Sequence, residues 1–131
     1  MMTLEKIKEL TDKIYPKIEE HYGMSKFQEC TPWVEFEHSI YARLMGEPDV
    51  DPKDGEQNPD AEYDSMNNSI ILYFPKIKSK KALIECLIHE YQHYLQSPSW
   101  MSRYYDMGYH YGNHPYEVAA TKAEKDWKLF A

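Results

Sequence analysis

The run Ile88-His89-Glu90-Tyr91-Gln92-His93 places two imidazoles and a carboxylate at a spacing that suits metal chemistry. On an α-helix, at about 100° per residue, His89 and His93 lie one turn apart on the same side, with Glu90 beside them. This is the H-E-x-x-H pattern, in which two imidazoles bind one zinc ion and the carboxylate serves as general base toward a water on the metal. The competing reading is a surface helix with two incidental histidines. Such a helix has two faces, one apolar and one solvated. A helix over 80–96 has three here. Leu83, Ile84, Leu87, Tyr91, Tyr94 and Leu95 make an apolar face with Ile88 at its edge. Cys86, His89, Glu90 and His93 make a stripe of ligand-type residues, and Glu85, Gln92 and Gln96 mark a polar side. That pattern suits a helix buried beneath a cleft.

A zinc site open for catalysis needs a third protein ligand and a position left for water. The spacing H-E-x-x-H-x-x-G-x-x-H would supply a third histidine, but Gln96 and Ser99 occupy its glycine and histidine positions. The other common solution is a glutamate on a following helix, and His114-Pro115-Tyr116-Glu117-Val118-Ala119-Ala120 offers one. Pro115 fits a first helical turn, where its missing N–H does no harm. Glu117 falls in that same turn, and Ala119 and Ala120 are small enough to let this helix approach the metal helix closely. Glu117 could instead only complement the helix dipole. His114 and His110 are the rival third ligands. Cys86, one turn before His89, reads as a small buried thiol.

H-E-Y-Q-H followed by P-Y-E-V-A-A resembles the gluzincin metallopeptidases, in particular the very small ones called minigluzincins. The stretch Ala61-Glu62-Tyr63-Asp64, a turn at Ser65-Met66-Asn67-Asn68, then Ser69-Ile70-Ile71-Leu72-Tyr73-Phe74 is similar to the strand pair before the active-site helix of that family. There the upper-rim strand presents its edge to an extended substrate. The resemblance spans roughly residues 62–127 and leaves the first half of the chain without a specific signature. It implies a zincin-like α+β domain that hydrolyses peptide bonds, with zinc on His89, His93 and Glu117 and with Glu90 as catalytic base. The transition-state oxyanion also needs a donor beyond the metal. Tyr104, Tyr105, Tyr109, His110 and Tyr111 lie between the two motifs, where gluzincins often place one, and the sequence does not choose among them. The strand over 69–74 is expected to lie nearest the cleft as an open edge, because it runs almost directly into the metal helix; the alternative is an interior strand paired on both sides, and its apolar run fits either.

The remaining elements must position these groups. Leu4, Ile7, Leu10 or Thr11, Ile14 and Ile18 recur at helical spacing, so 3–20 reads as an amphipathic helix capped by Thr3 and ended by Gly23. Pro32 to Phe36 reads as a short strand and 38–45 as a short helix ended by Gly46. The Pro-, Asp- and Gly-rich stretch 47–60 reads as a mobile acidic loop. Residues 97–113 read as an irregular connection, and 115–130 as one helix with Tyr116, Ala120, Ala123, Trp127 and Phe130 along a stripe. The expected fold is a single α+β domain over 1–131: a small mixed sheet packed on the N-terminal helix and the metal helix, with a C-terminal helix bringing Glu117 to the metal.

Composition narrows the class further. A chain of 131 residues, 42% of them hydrophobic, can bury one core. With 12 tyrosines and few valines, that core should be aromatic. A net charge of −7 argues against a nucleic-acid surface, which needs clustered Lys and Arg. The one basic cluster, Lys76 to Lys81, reads as a solvated loop and first turn. No apolar run of signal-peptide or membrane-spanning kind is present, and Cys30 and Cys86 make neither a disulfide framework nor a cysteine zinc site. A cytoplasmic monomer acting on a peptide or protein substrate is expected. The alternatives are a protease that cuts one regulatory partner, a latent or non-catalytic zinc-binding domain, and a metal-free helical interaction module.

Overall fold

The computed structural model describes residues 2–45 and 59–131. The chain is α+β, with a three-stranded mixed sheet and, among the described residues, five α-helices. No helix among these residues is long and apolar enough to cross a membrane. Helix α1 is Leu4–Tyr22 and strand β1 is Trp33–Glu37; the short helix α2 is Ile40–Met45. A hairpin follows, β2 Ala61–Asp64 and β3 Ser69–Tyr73, and then helix α3, Lys80–Leu95, which carries the H-E-x-x-H run. Helices α4, Pro98–Asp106, and α5, Pro115–Ala123, complete the set, and the chain closes in a 3₁₀ helix, Glu124–Phe130. The acidic loop expected over 47–60 and the Gly46 stop lie outside the described residues, Pro59 and Asp60 excepted.

Local signals set most of these boundaries. The Thr3 hydroxyl accepts from the Lys6 amide at 3.1 Å and caps α1, while Gly23, at φ 78°, turns the chain out of it. Ser39 caps α2 by accepting from the Ala42 amide at 2.9 Å, and Ser79 caps α3 by accepting from Ala82 at 3.1 Å. Residues 97–113 depart from the irregular connection expected of them. Ser97 accepts from the Trp100 amide, Pro98 fills the first helical turn, and α4 forms. The C-terminal stripe also departs from a single α-helix. In a 3₁₀ helix residues three apart eclipse, so Glu124, Trp127 and Phe130 fall on one side. In a continued α-helix each step of three would fall about 60° short.

The strand order β1-β3-β2 overturns one expectation. Strand β3 pairs parallel with β1 and antiparallel with β2, so it is the centre of the sheet and not an edge facing the cleft. The run Ser69–Tyr73 is buried throughout, as a strand covered on both faces and both edges must be. Among the described residues, the strand whose unpaired edge meets the cleft is β2.

Ile70 and Leu72 join Ile7, Ile14 and Ile18 of α1, Leu83, Ile84 and Leu87 of α3, and Phe130 in one core. Full burial of one such aliphatic side chain contributes about 1.5–3 kcal/mol. Tyrosines fill the margin, and their hydroxyls find partners. Tyr15 donates to the Pro32 carbonyl at 2.8 Å, Tyr91 to the Gly23 carbonyl at 2.6 Å, and Tyr94 accepts from the Ser25 amide at 3.0 Å. These bonds tie the 23–32 connection to the back of α3. On the far face of the sheet, Glu62 accepts from Tyr73 at 2.7 Å and from Arg43 at 3.0 Å, which fixes β2 against α2.

Candidate metal centre

Core packing decides where the ligand stripe of α3 points. Burying Leu83, Ile84, Leu87, Tyr91 and Tyr94 against α1 and the sheet turns His89, Glu90 and His93 toward α5. Ala120 is wholly buried at the α3–α5 contact, as a close approach requires, whereas Ala119 is exposed. Glu85, Gln92 and Gln96, expected on a polar side, are all partly buried.

His89, Glu90 and His93 each offer one ligand atom within 4.8 Å of the others, and this group could hold a metal ion. Glu117 meets them from α5. Its Oε2 lies 3.1 Å from His89 Nε2 and its Oε1 2.8 Å from His93 Nε2, so one carboxylate oxygen faces each imidazole. His93 Nε2 is buried and, despite that close oxygen, has no aligned hydrogen bond. A metal ion coordinated by that nitrogen would satisfy it. The donor set therefore fits a metal.

The outer ring nitrogens are held as ligation requires. His89 Nδ1 lies 2.9 Å from Glu124 Oε2, and His93 Nδ1 lies 2.7 Å from Gln96 Oε1. Both partners are acceptors here, so each Nδ1 carries a hydrogen, and each Nε2 is the atom that would offer its lone pair to a metal once the proton it shares with Glu117 is displaced. Gln96 in turn donates to the Tyr116 carbonyl at 3.1 Å, which clamps the end of α3 to the start of α5.

Burial alone would push both imidazoles down. For His89 the hydrogen bond to Glu117, the Glu90 charge and Glu124 outweigh it and lift the pKa to about 9. His93 is raised for the same reason, through Glu117 and Glu90. Burial raises Glu117, but the two imidazoles overcome it and hold the carboxyl at about 2. A metal ion must therefore displace protons to bind. Glu90 is 7% exposed and burial pushes it up to about 7, against the pull of His89 and His93. No side chain among the described residues hydrogen-bonds its carboxylate.

These groups form the floor of a 380 Å³ cleft. One wall is β2: Ala61, Glu62 and Tyr63 border it in succession, which a strand does only through its edge. The other wall is α4, through Pro98, Met101 and Ser102.

The rival ligands are occupied elsewhere. His114 is fully buried, its Nε2 2.9 Å from the Met101 carbonyl and its Nδ1 accepting from the Tyr116 amide at 3.1 Å, so it caps α5. His110 Nδ1 accepts from the Gly112 amide at 3.1 Å. Of the five residues between the motifs, Tyr111 borders the cleft. Tyr104 packs among Trp100, Tyr109, His114 and Tyr116, and Tyr105 lies on His114 with ring centroids 4.5 Å apart. Burial with the nearby Glu117 and Glu90 charges pushes the Tyr111 hydroxyl up to about 12.

Sequence reasoning missed Gln96, Glu124 and the α4 wall. Gln96 follows His93 by three residues, a spacing that brings helical side chains together. Glu124 follows Glu117 by two turns, which puts it on the same side. Both signals were present in the chain. Comparison of the chain with protein-family models, with curated proteins and with solved structures found no match.

Proposed function

We propose that the chain is a zinc-dependent peptidase of the gluzincin kind, with a zincin-like arrangement of sheet, metal helix and glutamate helix. The observation that carries this reading is Glu117, one carboxylate oxygen toward each imidazole, with the unpartnered Glu90 carboxylate opening on the same cleft. Two neutral imidazoles and one carboxylate suit zinc, and His89, His93 and Glu117 are its ligands in this reading. Bound there, zinc would lower the pKa of a water toward neutrality and polarise a carbonyl.

The protein's own groups do the rest. An extended peptide adds to the free edge of β2 through backbone hydrogen bonds, which sets its scissile bond over the cleft floor. Glu90 takes the proton from the attacking water and returns it to the leaving amine. Its burial keeps it basic enough to do so. Tyr111 donates to the developing oxyanion from the rim of the cleft. Glu124 and Gln96 hold the imidazoles in register.

A peptide-library digest with the zinc-supplied wild type and Glu90→Gln tests the reading. The wild type should cleave, and the variant should bind zinc equally and turn over about 10²–10⁴-fold more slowly. Equal cleavage by both would remove Glu90 as the base. Zinc binding with no cleavage by the wild type would favour a non-catalytic metal domain.

A further inference from the structure

Beside the cleft lies a second cavity of 310 Å³, and His89, Glu90 and Tyr111 border both. Its own lining includes Asp60, Glu85, Cys86 and Glu124 and, among the described residues, no Lys or Arg. Glu124 is engaged with His89, but Asp60 and Glu85 have no ion pair among the described residues. Glu90, more than nine-tenths buried and without a hydrogen bond, opens on this cavity as well as on the cleft. Burial, then Asp60, Glu90, Glu124 and Glu85, push the Cys86 thiol up, so these charges converge on one spot. A cavity in which carboxylates outnumber cationic groups, here Asp60, Glu85, Glu90 and Glu124 against His89, concentrates positive charge. Its volume suits one long side chain, and it adjoins the floor where the scissile bond would sit.

We infer that this side cavity takes the cationic side chain of a lysine or arginine next to the scissile bond, so that cleavage falls beside basic residues. The inference rests on the peptidase reading for its reaction, but the cavity's preference for a cation is separable from it. A flexible ammonium or guanidinium stem can lie along Cys86 and Thr121 with its charge between Asp60 and Glu85. Neither carboxylate belongs to the machinery described above.

Matched peptides carrying lysine, arginine or the neutral isostere norleucine at one position test the inference, with zinc-supplied full-length protein and its Asp60→Asn/Glu85→Gln double variant. The wild type should show about tenfold higher kcat/KM for the basic peptides. The double variant should bring that ratio toward one and leave norleucine-peptide cleavage unchanged. Cleavage without preference, or a preference that survives the double variant, would overturn the inference. Where no peptide is cleaved, the peptidase reading fails, and calorimetric binding of the same peptides still decides. Tighter binding of the basic peptides, lost in the double variant, upholds the pocket. Equal binding, or none, rejects it.

Discussion

Glu124 Oε2 stands 2.9 Å from His89 Nδ1, two turns beyond the glutamate that meets the same ring's Nε2. One C-terminal segment thus grips both sides of a single imidazole. The shift from α-helix to 3₁₀ helix at Glu124 supports this grip, because it aligns Glu124 with the core residues Trp127 and Phe130. Removing the outer grip should weaken metal binding without abolishing it. Glu124→Ala is expected to lower zinc affinity about 10–100-fold, read by competition with a chelator, and Glu124→Gln, which keeps an acceptor, less. Unchanged affinity in Glu124→Ala would mean that the contact does not orient His89.

Tyr111 is the one residue of the five between the two motifs that borders the cleft. Tyr111→Phe should lower kcat about 10²–10³-fold, the usual cost of one oxyanion donor, with metal content and KM preserved. A loss confined to KM would make Tyr111 a substrate-packing residue.

Much of this was legible in the chain, and the reasons differ by element. His89, Glu90, His93 and Glu117 could be read because helical spacing and a proline-marked helix start are local signals, and the structure brings all four together. Helices α1 and α3 and the β2–β3 hairpin were legible through periodicity, caps and turn residues. The central place of β3 was not, because a run such as Ile70-Ile71-Leu72-Tyr73 looks alike at an edge and in an interior, and only the distant β1 decides. Helix α4 was hidden by its Pro, Ser and Tyr content, against which only Met101 and Arg103 are strong helix formers. The choice of Tyr111 over its neighbours depends on aromatic stacking around Tyr104 and His114, which no spacing rule gives.

Gln92 carries a buried side-chain nitrogen with no hydrogen-bond partner among the described residues. Leaving such a donor unpaired costs about 1–3 kcal/mol, so Gln92→Met should raise stability by about 1 kcal/mol, seen as a higher Tm. A fall in Tm would show that the amide is satisfied in solution.

The tyrosine margin of the core sets an alkaline limit. Burial, with the Asp126 charge and hydrogen bond, pushes Tyr22 up to about 12. Burial does the same for Tyr63, with the charges of Tyr94 and Asp64 adding to it against a hydrogen bond from Gln28. Tyr15, Tyr73 and Tyr91 are raised too, chiefly by burial. Raised native values stabilise the neutral hydroxyls. That contribution is complete below the ordinary value of 10.0 and is lost as pH climbs through about 12. Phenolate absorbance should therefore rise in two stages, with exposed tyrosines first and buried ones together with unfolding. Reversible ionisation of all 12 near the ordinary value, with the fold intact, would contradict this.

The central claim is that His89, His93 and Glu117 converge on one metal ion, and a calorimetric zinc titration of the wild type and Glu117→Ala tests it most directly. One ion per wild-type chain is expected, with a loss of affinity in the variant larger than the roughly 10–100-fold expected for an outer partner such as Glu124. A Glu117→Ala chain that binds zinc as tightly as the wild type would contradict it.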